Sequence, residues 1–105
     1  MKRGEVWWVT LDPTIGSEIQ KTRPCLIVSP DEMVRGLRTV LVAPLTSKGR
    51  STSFRIPVSL KGVTGLILLD QLRTVDKTRL QRKLGNVSDE ILAQTLAMLR
   101  WLFTE

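Results

Sequence analysis

Three short stretches hold the side chains best suited to chemistry: Lys21-Thr22-Arg23-Pro24, Pro44-Leu45-Thr46-Ser47-Lys48 and Asp70-Gln71-Leu72-Arg73-Thr74-Val75-Asp76. In the first, Arg23 sits where a polar stretch meets an apolar one. Its backbone would be anchored while its head reaches a ligand, and a guanidinium is a rigid fork of donors suited to phosphate. The structural alternative is a pair with a nearby acid such as Glu18. In the second, Thr46 and Ser47 follow an apolar run stiffened by Pro44, and their hydroxyls could bond a phosphate oxygen. The alternative is a turn in which they bond their own backbone. In the third, Asp70 follows five residues without a polar side chain, and a carboxylate at the end of a buried strand needs a partner. Gln71 and Arg73, two apart, would share one strand face. The alternative for Asp70 is a salt bridge to an arginine that ties the fold together.

What is missing narrows the chemistry. The chain has no histidine and a single cysteine, Cys25. That excludes a Ser-His-Asp triad, a Cys-His pair, a two-histidine ribonuclease mechanism and an intramolecular disulfide, and it leaves no ordinary ligand set for structural zinc. No metal and no cofactor is expected. With 105 residues and 11.8 kDa the chain is expected to form one domain, residues 1–105, with one modest core. The net charge of +6 points to a polyanionic partner. It is not a tail effect, since residues 1–52 and 53–105 each hold 8 basic and 5 acidic side chains. Between Met33 and Leu69, however, six Lys/Arg (Arg35, Arg38, Lys48, Arg50, Arg55, Lys61) occur without one acid. No window approaches the roughly 18 apolar residues of a membrane span, and Met1-Lys2-Arg3-Gly4-Glu5 lacks the apolar run of a signal peptide. A cytoplasmic protein without a membrane partner is expected.

These residues need elements to hold them. Glu5 to Leu11 is β-branched and aromatic and reads as a strand stopped by Asp12-Pro13. Thr14 to Thr22 reads as a loop longer than a hairpin needs, of the kind that carries function. Cys25 to Val28 reads as a buried strand, Asp31 to Val34 as a brief helical turn, and Thr39 to Ala43 as a strand stopped by Pro44. Ser47 to Ser53 is a polar loop with a basic tip. Phe54 to Val58 alternates, with Pro57 suited to an edge, and Gly65 to Leu69 is apolar again and runs on toward Val75. Thr78 to Gly85 is ambiguous between strand and turn. Ser88 is a good N-cap, with Asp89 and Glu90 in the first turn of a helix. Ile91, Leu92, Leu96, Leu99, Leu102 and Phe103 then recur at helical spacing. Burying five or six such side chains would contribute on the order of 8–15 kcal/mol before entropy. The expected architecture is mainly β (α+β): an antiparallel sheet of five to seven strands curled into a small barrel, one face covered by a C-terminal amphipathic helix.

Taken jointly, the motifs resemble one family. Arg3-Gly4-Glu5-Val6-Trp7-Trp8, Leu11-Asp12-Pro13-Thr14 and Gly16-Ser17-Glu18 are similar to the N-terminus of the MazF/PemK (Kid-like) toxins. The likeness continues through Thr22-Arg23-Pro24, Leu26-Ile27-Val28-Ser29-Pro30, Val42-Ala43-Pro44-Leu45-Thr46-Ser47 and Asp70-Gln71-Leu72-Arg73-Thr74-Val75-Asp76, and it covers nearly the whole chain in order. The resemblance implies the toxin of a type II toxin–antitoxin module. It would be a metal-independent, sequence-selective endoribonuclease that cuts single-stranded mRNA by attack of a ribose 2′-hydroxyl. The products would carry a 2′,3′-cyclic phosphate and a 5′-hydroxyl. It also implies an SH3-like barrel, a homodimer, and a cognate antitoxin with an acidic disordered tail. Arg23 and Thr46 match the family's catalytic arginine and threonine. Arg23 would stabilise charge on the phosphorane, with protonation of the leaving group a further role left open. Thr46 would orient a non-bridging oxygen.

Asp70 is a secondary catalytic candidate. The members that use this carboxylate as a base also carry an arginine two residues earlier and a histidine in the first loop, where this chain has Leu68 and Ser17. What removes the 2′-proton therefore stays open. Base selection is expected from the two loops and the third motif: Ser17, Glu18, Gln20, Lys21 and Thr22, then Ser47, Lys48 and Arg50, with Gln71 and Arg73. Trp7 and Trp8 point opposite ways along a strand, so at least one is expected in the core. Two alternatives share the fold: a CcdB-like gyrase-poisoning toxin, for which Trp101 near the helix end is the relevant residue, and an RNA-binding homologue without catalysis.

Overall fold

The computed structural model describes all residues, Met1–Glu105. Seven strands form one antiparallel sheet: β1 (Glu5–Thr10), β2 (Thr22–Ile27), β3 (Thr39–Thr46), β4 (Arg55–Leu60), β5 (Val63–Leu68), β6 (Arg73–Asp76) and β7 (Leu80–Asn86). Helix α1 (Asp31–Gly36) links β2 to β3, and α2 (Asp89–Leu102) ends the chain. The strand order is β4-β5-β3-β2-β1-β7, with β6 also on β3. This is the curled antiparallel sheet with a C-terminal helix that the sequence predicts. The path ends on β4 and β7 without a ladder between them. Side chains meet there instead, since Leu60 and Lys61 lie over Gly85.

Strand β3 departs from the sequence reading. It does not stop at Pro44 but continues to Thr46. One flank pairs with β2 at Cys25↔Pro44, while the other pairs with β6 up to Val42 and with β5 only from Leu45. Pro44 lies in the gap where one neighbour hands over to the next. A missing N–H costs least where no strand waits to accept it. The sheet changes partners there, so the second motif begins at a bend. Pro57 lies on β4, which is an edge as expected.

Alternation along β2 and β3 sends apolar side chains to both faces. Val6, Leu26, Val28, Ala43, Leu45, Ile56, Val58, Ile67 and Leu69 make one core, against which Ile91, Met98, Leu99 and Leu102 of α2 rest. Val9, Leu11, Cys25, Ile27, Val34, Val40, Val42, Val75 and Leu80 make the other, with Trp7 and Ile19 against it. Each fully buried Leu, Ile or Val contributes roughly 1.5–3 kcal/mol relative to leaving it in water. Two such cores in so small a chain explain why both faces of the central strands are apolar.

Helix α2 begins as predicted, with the Ser88 hydroxyl accepting the Ile91 N–H at 3.2 Å. It covers its face less completely than its periodicity suggests. Only Thr95 is buried, the leucines are half-buried, and Trp101 (63%) and Phe103 (78%) stand in solvent. The helix therefore contributes less than full burial would, and Trp101 does not pack against the barrel. The ambiguous segment resolves into a 3₁₀ turn, Lys77–Arg79, followed by β7. Trp7 faces the second core, while Trp8 lies beneath Arg82, whose guanidinium carbon is 5.6 Å from the ring centre.

Candidate active site

Arg23 is the second residue of β2 and Thr46 the last of β3. The two strands pair in the register Ile27↔Val42, Leu26↔Ala43, Cys25↔Pro44. The ladder ends there, with Arg23 two residues before Cys25 and Thr46 two residues after Pro44. Side chains alternate, so both lie on the face of Cys25 and Pro44. Their cross-strand neighbours are apolar: Arg23 pairs with Val9 of β1, and Thr46 with Leu66 of β5. A cation and a hydroxyl thus follow the same end of the β2–β3 ladder, on the side of the second core.

Each is tied to the loop next to it. The Arg23 Nε donates to the Gln20 carbonyl at 3.1 Å, which leaves the two terminal nitrogens of the fork for a ligand. Glu18 does not pair with Arg23; its carboxylate accepts the amide of Ile15 within its own loop. The Thr46 hydroxyl accepts the Lys48 amide at 3.1 Å. This is the backbone-bonded turn that the sequence offered as the alternative. It also fits a catalytic use, because the oxygen is fixed while its proton is free to be donated. Thr46 is only 7% exposed.

Asp70 and Gln71 are not in a strand. Leu69–Gln71 is a 3₁₀ turn between β5 and β6, so Gln71 and Arg73 do not share a strand face as expected. Asp70 is gripped by Arg55 at the start of β4: Nε donates to Oδ1 at 3.0 Å and Nη2 to Oδ2 at 2.8 Å. Those bonds hold its carboxyl below the usual carboxylate range. The salt-bridge alternative for Asp70 is what the structure contains. Gln71 turns toward the first loop, its Oε1 accepting the Ile19 amide at 2.7 Å. Arg73 donates to the Leu11 carbonyl at 3.1 Å, and Arg79 bonds the Thr10 and Asp12 carbonyls, so two arginines hold the stem of that loop.

A cleft of about 420 Å³ adjoins the pair. Ser17, Glu18, Asp70, Gln71 and Arg73 line it, with Pro44 connecting it to the Arg23–Thr46 face. The structure therefore gathers five of the sequence-selected residues into one cleft and two beside it. Gln20, Lys21 and Thr22 are exposed along the first loop, and Ser47, Lys48 and Arg50 along the second, outside the cleft lining. Cys25 lies under the site as a neutral thiol, its pKa pushed up to about 12 by burial, and is no nucleophile. Arg55 was not singled out from the sequence as a site residue. The available signal was that Asp70 is the first acid after the acid-free run in which Arg55 lies.

Comparison with known proteins gives a consistent set of relatives. The family described as PemK-like, MazF-like toxin of type II toxin-antitoxin system matches residues 2–103. The chain is 41% identical over 110 residues to the endoribonuclease PemK of Escherichia coli, covering 99% of this chain and 83% of that protein. It is 33% identical over 98 residues to the endoribonuclease EndoA of Bacillus subtilis, covering 88% and 84%. Among solved structures, MazF of Deinococcus radiodurans superimposes with a TM-score of 0.86 at 26% identity, covering 97% of this chain and 94% of that one. A mycobacterial endoribonuclease in complex with its cognate antitoxin shares the fold, with a TM-score of 0.82 at 24% identity and coverage of 96% and 92%. With its curled sheet, its terminal helix and its motifs in order along residues 2–103, the chain belongs to the PemK-like, MazF-like toxins of type II toxin–antitoxin systems.

Proposed function

We propose that this chain is a metal-independent, sequence-selective endoribonuclease acting on single-stranded mRNA, and the toxin of its module. The observation that supports this is that Arg23 and Thr46 follow the same end of the β2–β3 ladder, near a cleft that Pro44 of that ladder helps to line. Relatives named endoribonucleases support the same activity, and the gyrase-poisoning alternative is not favoured.

The chemistry follows from the groups present. The 2′-hydroxyl gives up its proton as its oxygen attacks phosphorus, a P–O2′ bond forms, the P–O5′ bond breaks, and the departing 5′-oxygen takes up a proton, so none is gained or lost overall. Negative charge grows on the non-bridging oxygens as the phosphorane forms. The free nitrogens of Arg23 and the hydroxyl of Thr46 are fixed donors where that charge develops, and preorganised donors need no reorganisation. Lys21, Lys48 and Arg50 supply positive charge along the backbone of the bound strand. Ser17, Glu18, Gln20, Thr22 and Ser47 offer polar contacts at the exposed loop surfaces, suited to splayed bases. The reading includes a homodimer, a cytoplasmic location and inhibition by an antitoxin with an acidic disordered tail. No helix is long and apolar enough to cross a membrane.

The test is incubation of the purified protein with total cellular RNA in excess EDTA, with 5′ ends mapped by primer extension. Cuts at a recurring short sequence, unchanged by EDTA, are expected. Cleavage that requires added metal, or intact RNA, would overturn the reading.

A further inference from the structure

Asp70 and Gln71 are neighbours in one short turn, yet their side chains run to different loops. Gln71 reaches the first loop, accepting the Ile19 amide at 2.7 Å and lying 3.5 Å from the Ser17 carbonyl. Gln20 follows in that loop, and its carbonyl holds Arg23. Asp70 reaches Arg55, and the remaining nitrogen of Arg55, Nη1, donates to the Arg50 carbonyl of the second loop at 3.1 Å. That loop lies against Thr46: a side chain added at Gly49 would stand 3.4 Å both from the Thr46 methyl and from Arg55 Nη1. Lys48, next to Gly49, gives its amide to the Thr46 hydroxyl. Two continuous paths of contact therefore leave one turn, one ending on Arg23 and the other on Thr46.

All three donor nitrogens of Arg55 are engaged, and both Asp70 oxygens are taken by it. Arg55 pairs across the β4–β5 ladder with Leu68, just before the turn, so its head falls naturally on Asp70. An aspartate held this way is an acceptor already occupied, poorly placed to take a proton from a 2′-hydroxyl.

Resting on the endoribonuclease reading above, we propose that the turn Leu69–Gln71 is a two-armed brace for the catalytic pair. In it Arg55, Asp70 and Gln71 are positioning residues, and Asp70 is not the base. The two loops are fixed at their middles by side chains rather than by strand pairing, so the brace also sets how they face the RNA. A misplacement of about 1 Å at a reacting group costs on the order of 100-fold in rate.

The test uses the full-length protein on an RNA with a single mapped cut site. It measures kcat, KM, the pH–rate profile, the melting temperature, and the rate ratio between the site and a one-base variant of it. Asp70→Asn keeps one of the two bonds to Arg55 and loses the other with the charge, so it is expected to lower kcat by no more than about 10-fold and to leave the pH profile unchanged in shape. Gln71→Ala and Arg55→Gln are expected to lose about 10- to 100-fold in kcat/KM and to discriminate less between the two sites, with melting temperatures near wild type. Arg55→Lys retains the ion pair but not the carbonyl bond and should recover part of the loss; it serves in place of Arg55→Gln if that variant melts. A 100-fold loss in Asp70→Asn with one limb of the pH profile gone would make Asp70 a proton-transfer group and overturn the brace. Wild-type kinetics and selectivity in Gln71→Ala and Arg55→Gln would overturn it too. If wild type itself leaves RNA uncut, it is the endoribonuclease reading that fails.

Discussion

Arg23→Ala is expected to lower cleavage by at least about 10³-fold while leaving the protein folded. Removing one fixed donor from a site where charge develops typically costs ~10²–10³-fold, and Arg23 supplies a full charge as well as two nitrogens. Its structural role is slight. It is only half-buried, and its side chain's one hydrogen bond is from Nε to the exposed Gln20 carbonyl, so the melting temperature should hardly move. Arg23→Lys keeps the charge but loses the fork and should regain only part of the rate. Steady-state cleavage of a defined RNA beside a thermal melt checks both halves. Turnover near wild type in Arg23→Ala would remove this residue from the mechanism.

Gly65→Ala is expected to be the most damaging small substitution in the chain. A methyl there would sit 2.1 Å from the Thr46 carbonyl oxygen and 2.7 Å from its carbon, so backbone must move. Overpacking costs roughly 1–3 kcal/mol and more where backbone is the obstacle. At ~3 kcal/mol, a domain of this size would melt about 10–20 °C lower. The displaced atoms belong to Thr46, so cleavage should fall further than the stability loss explains. Gly36→Ala is the control: nothing lies within 4 Å of its added methyl, and it should melt within a few degrees of wild type. Calorimetry and cleavage on the same samples separate the two effects.

What the sequence made legible was local. The Ser88 cap, the alternation in β4 and the paired apolar runs of β2 and β3 follow from side-chain type and period alone. Pro44 misled because proline is read as a strand stop, whereas its cost depends on whether a neighbour needs its N–H, and that depends on β5 and β6 far along the chain. Gln71 and Arg73 were placed on one strand face because apolar content runs through Leu72; the tight turn at Asp70 breaks the period without a glycine or proline to mark it. Phe103 belongs to the apolar stripe by its spacing yet stands in solvent, because helical spacing shows which side is apolar but not how much of that side a partner covers. At the site, Arg23 and Thr46 are legible by motif, and the fold carries both past the same end of the β2–β3 ladder. The Arg55–Asp70 pair, 15 residues apart, was invisible as a pair, since any of several arginines would have satisfied the carboxylate. Long-range pairing is a property of the ladder, and the ladder is not written in any one segment.

The central claim is that the RNA cuts itself, with its 2′-hydroxyl as nucleophile and this chain supplying fixed donors around the phosphate. The most direct measurement is a pair of short RNA oligonucleotides carrying the mapped cut site, identical except that one has a single 2′-deoxyribose on the 5′ side of the scissile phosphate. The products are weighed by mass spectrometry. The all-ribose strand should give a 2′,3′-cyclic phosphate and a 5′-hydroxyl end, and the deoxy strand should stay whole while still competing for binding. Cleavage of the deoxy strand, or a 5′-phosphate on the product, would show water as the nucleophile and contradict the account.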